Sequence, residues 1–265
     1  MKKIGNAALV KSAFEEEFRS RLEPFGFKIA KTGNLYCIRM INDEIIHIIG
    51  LREMVDFVVP FGAVATVYRQ DLCLNKSFRQ NEGWFKTVMD FYANRNSSDI
   101  GIDSQTLFKY SYLSYGDPET VKTAVQNAAD AAVTWILPVL DRIRTFKDVL
   151  DYQRNMGVVP DLPLAEYRVA PFSDTAVYFL LDDPFSDLDE RRKAAFKAVA
   201  AEDKQFLRSQ EVIDRNKADY EKMFNESCRR LRLFQENEEI HSQTLEELAR
   251  RKEHNLGLLR RYGIE

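Results

Sequence analysis

Short apolar runs separated by turn-forming residues, in the first quarter of the chain, constrain its fold most strongly. The four runs whose length and aliphatic and aromatic content are typical of strands are 27–31, 35–41, 44–51 and 61–68. Asn42-Asp43 separates two of these runs, and because both residues tolerate positive φ they indicate a tight hairpin turn. Both alternating faces of the run at 44–51 are apolar, which predicts a strand covered on both sides. We therefore predict an antiparallel meander of about four strands, the last beginning after Pro60.

Two helices are predicted to pack on this sheet. The first spans 6–22, since Val10, Phe14, Phe18 and Leu22 recur every four residues and so share one helix face. The second spans 117–143. Asp117 suits the N-cap of this helix and Pro118 its first turn, and Pro138 should kink it.

After 144 the sequence favours a short helix that ends at Gly157 and then an extended, proline-rich connection; from Asp187 onward it is almost entirely helix-forming. Thr145 and Asp148 have the spacing of a capping pair, and three further helices are predicted at 187–208, 210–235 and 242–262. We expect an α+β fold in which an antiparallel β-meander packs against helices, followed by a helical C-terminal extension. The predicted domains are 1–184 and 185–265. One buried stripe is expected in the extension, and it could also form a homodimer interface; its members are Ile213, Tyr220, Phe224, Leu231 and Phe234.

Composition and the length of the apolar runs disfavour several classes of protein. About 45% apolar and 30% charged residues are ordinary for a globular chain, and the net charge of −3 lacks the basic excess of a nucleic-acid-binding protein. Three widely separated cysteines favour reduced thiols in a cytoplasmic protein over disulfides or a thiolate zinc site. No apolar run is long enough for a membrane span, so we expect no membrane partner.

The phosphate-binding and nucleophile motifs that would identify an enzyme are absent from the sequence. No cofactor or metal is predicted, and no residue is assigned a catalytic role. His47 lies within a predicted strand, where a partly buried imidazole could act as an acid or base or could simply be satisfied by a neighbour. Acids between 161 and 183 could hold a cation, although Asp182 and Asp183 suit turns better.

A binding site is the other candidate. Aromatic residues crowd 78–115, where they could line a groove or pack under loops. The sequence-based candidates for ligand contact are His47, Arg52, Glu53, Tyr68 and Trp84. Arg229, Arg230 and Arg232 could touch nucleic acid, but the interleaved acids favour a solvated helix face.

Four segments between residues 8 and 155 carry a resemblance to a known family: LEPFGFKIAKTGNLYCI, EIIHIIGLRE, FGAVATVYR and VLDRIRTFKDVLDY. This part of the chain resembles the bacterial family catalogued as domain of unknown function 4304. The resemblance implies a small α+β fold and a bacterial, cytosolic origin. It implies no activity, and the helical tail lies outside it.

Two hypotheses about function follow, and whether the protein is an enzyme stays open. The first is a non-enzymatic intracellular module that binds an unknown protein or small molecule. The alternative is a hydrolase or metal-dependent nuclease that uses His47 and nearby carboxylates such as Glu53.

Overall fold

The chain forms two compact units. A computed structural model of the protein describes residues 6–53, 57–69, 72, 74, 86–90, 117–149, 180–186, 189–190, 192–193, 196–197, 200 and 208–264. The sheet unit comprises Met1–Val67, Asp71–Arg144 and His254–Glu265, and the helical unit comprises Tyr68–Gln70 and Thr145–Glu253. The predicted domain boundary at 184/185 stays a prediction.

The sheet unit is built on five antiparallel strands that neighbour one another in chain order. They are β1 Lys28–Ile29, β2 Tyr36–Ile41, β3 Ile45–Glu53, β4 Val58–Thr66 and β5 Lys86–Asp90. The predicted α+β fold with an antiparallel meander is confirmed. All of β4 is buried, and so is β3 from Ile45 to Leu51. This confirms that β3 is covered on both faces, as its two apolar faces predicted.

The turn between β2 and β3 fixes the register of the sheet. Asn42 and Asp43 adopt φ of 47° and 56°, the left-handed region that these two residue types tolerate best. The predicted hairpin is therefore confirmed. Its register places Arg39 directly opposite His47.

The start of β4 and the presence of β5 differ from the prediction. We expected the fourth strand to begin after Pro60, but β4 begins at Val58 and contains the proline. A proline is tolerated there because Leu51, its partner on β3, donates its N–H to Leu35 on the far side of β3, so this pair needs no hydrogen bond from residue 60. On the other side, β5 pairs with β4 only from Phe61 onward. The sequence at 107–112, rich in aromatic residues, also indicates a strand, and this segment lies outside the described residues.

The helices of the sheet unit follow their predicted bounds closely. They are α1 Asn6–Leu22, a 3₁₀ turn Glu23–Phe25, α2 Pro118–Ala131, a π-helical turn Ala132–Ile136 and α3 Leu137–Leu140. The Asp117 carboxylate accepts hydrogen bonds from the Glu119 N–H at 3.4 Å and the Thr120 hydroxyl at 2.7 Å, which confirms the predicted N-cap. The π-helical turn lies just before Pro138 and widens the helix where the proline lacks its N–H.

A buried carboxylate joins α1 to α2. Glu17 is 6% exposed, accepts from Gln126 Nε2 at 2.9 Å and pairs with Arg21, which also binds Asp130 at 2.6 Å. Burial alone would raise the pKa of Glu17. The hydrogen bonds from Gln126 and Arg21, with the charges of Arg21 and Lys122, lower it instead.

The C-terminal part of the chain holds two long helices, α4 Gln210–Glu236 and α5 Glu238–Arg261. We expected α5 to begin at 242, but it begins four residues earlier because the Asn237 side chain accepts from the Ile240 N–H at 3.0 Å and caps it. The predicted capping pair is confirmed, with Thr145 N to Asp148 Oδ2 at 2.8 Å and Asp148 N to Thr145 Oγ1 at 3.1 Å. None of the described helices combines the length and apolar character that a membrane span requires.

Two members of the predicted tail stripe are buried in the helical unit, Phe224 at 6% and Leu231 at 3% exposure. The protein's own chain therefore covers these two side chains. The homodimer predicted through this stripe stays a prediction.

The end of α5 is part of the sheet unit. Asn255 is fully buried; its amide nitrogen donates to the Val67 carbonyl at 2.8 Å, and its oxygen accepts from the Leu72 N–H at 3.4 Å. The Lys31 N–H donates to the Tyr262 carbonyl at 3.0 Å, beside the short edge strand β1. These bonds attach the last turns of the helix to the chain beside β1 and to the chain just after β4.

Gly50 should be intolerant of any side chain. A Cβ at this position would lie 2.3 Å from Phe61 Cζ and 3.0 Å from Tyr36 Cδ1. Both rings are buried, and they pack edge to face with centroids 6.0 Å apart, so neither can move away without a cost. We expect Gly50→Ala to lower the free energy of unfolding by about 1–3 kcal/mol, measured by urea denaturation.

Gly33→Ala is the matched control, because no atom lies within 4 Å of a Cβ at Gly33 and its φ is not positive. It should leave the urea midpoint unchanged or raise it slightly. Equal destabilisation by the two substitutions would show that crowding at Gly50 is not the cause.

Asn255→Ala should destabilise the sheet unit. It leaves the Val67 carbonyl and the Leu72 N–H without the amide partner, at a cost of about 1–3 kcal/mol. His254→Ala changes the exposed neighbour on the same helix and should have little effect. Thermal unfolding of both variants checks this, and similar midpoints would contradict the anchoring role of Asn255.

Candidate functional site

His47 lies in the middle of β3 and is fully buried. Its Nδ1 lies 3.2 Å from Arg39 Nε and 3.0 Å from Arg39 Nη2, and its Nε2 lies 2.6 Å from the Ile143 carbonyl oxygen. The arginine comes from the paired strand and the carbonyl from the segment after α3. Both ring nitrogens therefore have partners inside the protein.

These partners determine the tautomer of His47. A guanidinium only donates hydrogen bonds, so Nδ1 must accept. A carbonyl only accepts, so Nε2 must carry the proton and donate to Ile143. The imidazole is thus neutral, and it links the sheet to the chain that follows α3.

Burial is the largest influence on the His47 imidazole, and it lowers the pKa. The hydrogen bond to Ile143 acts in the opposite direction, while the Arg39 charge lowers the pKa further, so that it lies at about 4. His47 is neutral at physiological pH, but neither of its ring nitrogens is presented to a substrate. This is the satisfied strand histidine that the sequence offered as one of two readings.

Arg39 connects four parts of the sheet unit. Besides His47, its guanidinium pairs with the Asp141 carboxylate, donates to the Phe25 carbonyl at 3.1 Å and lies 4.6 Å from the Phe27 ring centroid. The arginine is 9% exposed. Such a buried cation is tolerated because every side of it meets a partner.

Of the other sequence-based candidates, none that the structure describes lies at His47. Glu53 lies six residues further along β3, about 20 Å away along an extended strand. Arg52 faces the opposite side of the sheet from Glu53 because strand side chains alternate. Tyr68 is buried in the helical unit, with its ring centroid 5.8 Å from that of Phe146 and 5.9 Å from Lys252 Nζ. Trp84 lies outside the described residues.

The acidic candidates lie in a turn or outside the described residues. Asp161 and Glu166 lie outside the described residues. The Asp183 carboxylate accepts from the Phe185 N–H at 3.1 Å, and its carbonyl accepts from the Ser186 hydroxyl at 3.1 Å, which is the predicted role of a turn former. Among the described residues, no three His, Cys, Asp or Glu side chains cluster as metal ligands.

A groove in the helical unit is the strongest candidate for a binding site. It has a volume of about 590 Å³, within the size range of ligand pockets. One wall is a face of α4, and the other begins at the turn that Asp183 closes. The side chains that line it are Phe185, Asp189, Arg192, Phe224, Asn225, Cys228, Arg229, Arg232, Leu233 and Glu236.

Charged and apolar groups alternate along this groove. Arg192 pairs with Glu221, and Arg229 forms two 2.8 Å hydrogen bonds with Glu226. Arg232 instead lies over the Phe185 ring, with Cζ 5.5 Å from the centroid. Among the described residues, no carboxylate lies within ion-pairing distance of Arg232.

Cys228 also lines the groove, near enough to Arg232 and Arg192 to feel their charges. Burial raises the pKa of its thiol, and the Arg232 charge opposes the shift only in part. The groove therefore presents guanidinium groups and aromatic rings rather than a reactive thiolate.

Sequence reasoning missed this groove although the spacing carried a signal. Phe224, Cys228, Arg232 and Glu236 recur every four residues, as do Asn225, Arg229 and Leu233, so the two rows lie side by side on one helix face. From the arginines of this segment and the acids between them, the sequence indicated only a solvated helix face. The missing information was the turn that brings Phe185 against that face.

His47 should make the stability of the protein depend on pH. Because its folded pKa of about 4 lies below its ordinary value of 6.5, the unfolded state binds a proton between these values that the folded state does not. Stability should therefore fall as pH decreases from 6.5 to 4, by up to roughly 3 kcal/mol from this residue. His47→Gln should lose less stability than the wild type between pH 7 and pH 4.5 in urea titrations.

His254→Gln, which replaces an exposed histidine of α5, is the matched control and should retain the pH dependence of the wild type. An identical loss in wild type and His47→Gln would show that the imidazole is not held neutral in the folded state.

Comparisons of the chain with protein-family models, with curated proteins and with solved structures found no match. The resemblance of residues 8–155 to domain of unknown function 4304 stays a prediction.

Proposed function

We propose that the protein is a non-enzymatic binding protein whose ligand lies in the groove between α4 and the turn at Phe185. The observation that carries this proposal is the arrangement of Arg232 over Phe185 beside Leu233, which is 44% exposed. A cation, an aromatic face and an aliphatic side chain exposed side by side can bind a ligand that has both charged and apolar groups.

The alternative, a hydrolase or nuclease based on His47, stays a hypothesis with less support. His47 is fully buried, and both of its nitrogens are hydrogen-bonded to protein groups. A substrate could reach it only if β3 separated from the segment after α3. We also propose, from the sequence, a bacterial origin and a cytoplasmic location for this binding protein.

Leu233→Ser should weaken binding of the neutral fluorescent dye Nile red. The dye reports contact with the apolar part of the groove independently of charge. Loss of a partly exposed leucine wall should weaken its apparent affinity by roughly fivefold, in proportion to the apolar area removed. Fluorescence titration of the full chain measures this.

Leu245→Ser is the matched control, because Leu245 is also exposed, at 39%, and lies on α5 without being one of the lining residues. It should bind the dye as the wild type does. If both serine variants bind equally well, or if the wild type shows no saturable binding, the groove is not a binding site.

A further inference from the structure

We infer that the ligand of the groove is an acidic, apolar segment of a partner protein, with a carboxylate paired to Arg232 and an aliphatic side chain against Phe185 and Leu233. This inference rests on the proposed function and names its ligand. The three arginines of the groove differ in their contacts within the protein. Arg192 and Arg229 are engaged by Glu221 and Glu226, whereas the described contact of Arg232 is with an aromatic ring.

A guanidinium stacked on a ring retains its in-plane N–H donors. Stacking uses the face of the group, and carboxylates bind at its edge in a two-pronged geometry. Arg232 lies on the exposed surface of α4, so its edge can be reached from solvent. The ring also holds the guanidinium in place, which reduces the entropy lost when an anion binds.

The length of the groove favours a chain over a small anion. Its lining on α4 runs from Phe224 to Glu236, which corresponds to about 18 Å along a helix axis. An extended peptide covers this distance with about six residues. Leu233 follows Arg232 directly, so a carboxylate and a neighbouring apolar side chain of such a peptide find their partners close together.

The carboxylates of the groove disfavour a nucleic acid. Asp189 and Glu236 line it, and Glu226 and Glu221 stand beside its arginines. A phosphate chain, with one charge on every nucleotide, would meet these acids repeatedly. A peptide with spaced carboxylates can place its charge at Arg232 and its apolar side chains elsewhere.

The test uses a fluorescein-labelled hexapeptide of leucine and serine with a single glutamate, which offers one carboxylate to Arg232, and measures binding to the full chain by fluorescence anisotropy. Wild type should bind it saturably, and Arg232→Glu should weaken binding about tenfold or more, because a charged hydrogen bond becomes a repulsion. The matching hexapeptide with lysine in place of the glutamate should show the reverse preference and bind Arg232→Glu better than wild type.

Arg215→Glu is the matched control: it makes the same charge change at an exposed arginine of α4 outside the groove. It should bind the acidic peptide as wild type does, and unchanged thermal midpoints should show that both variants fold. The inference fails if both charge changes weaken binding equally. It also fails if free fluorescein binds as tightly as the peptide, or if a labelled single-stranded oligonucleotide binds more tightly.

The dye and peptide titrations separate this inference from the proposed function. Dye binding that depends on Leu233, together with no binding of the acidic peptide, would retain the groove as a site and reject this ligand. Loss of both would reject the site itself.

Discussion

The buried guanidinium of Arg39 is a charge that several parts of the sheet unit must satisfy together. Arginine cannot release its proton, and an unpaired buried charge costs several kcal/mol. Its partners come from separate parts of the chain: the 3₁₀ turn after α1, the Phe27 ring, β3, and Asp141 after α3. These parts must therefore be in place together before the cation is satisfied, which links the first helix, the hairpin and the third helix in one cooperative unit.

The same arrangement limits what His47 can do. Because the His47 imidazole is neutral, it does not neutralise the Arg39 charge. Its Nδ1 accepts hydrogen bonds from guanidinium N–H groups that would otherwise be buried without a partner. Its Nε2–H then completes the pair by bonding to the Ile143 carbonyl. A histidine in this position is a hydrogen-bonding element of the core, and its low pKa is a consequence of that role rather than of tuning for proton transfer.

Sequence patterns between neighbouring residues predicted most of the sheet unit. Strand β5 and the groove depend on contacts between residues far apart in the chain. Positive φ at Asn42 and Asp43, together with the Asp117 cap, depends on neighbouring residues only, so these features could be read directly from the sequence. Strand β5 could not be predicted from local signals, because Lys86–Asp90 forms a strand only by pairing with β4 across a bulge. The hairpin register does place Arg39 opposite His47, so this pair could have been derived once the turn was accepted. The groove could not be predicted either, because it needs the turn at Asp183 to meet a helix face that begins at Phe224, more than forty residues later.

The groove and the Arg39 cluster show how one residue type serves two purposes. Both use an arginine against a phenylalanine ring, at 4.6 Å from Phe27 and 5.5 Å from Phe185. Arg39 is buried, and its guanidinium is already engaged by Asp141, His47 and the Phe25 carbonyl. Arg232 is exposed, and its guanidinium lies over the Phe185 ring and pairs with no described carboxylate. The edge of this guanidinium can therefore bind a carboxylate of a ligand. Charge satisfaction within the fold therefore separates the structural arginine from the one that can bind.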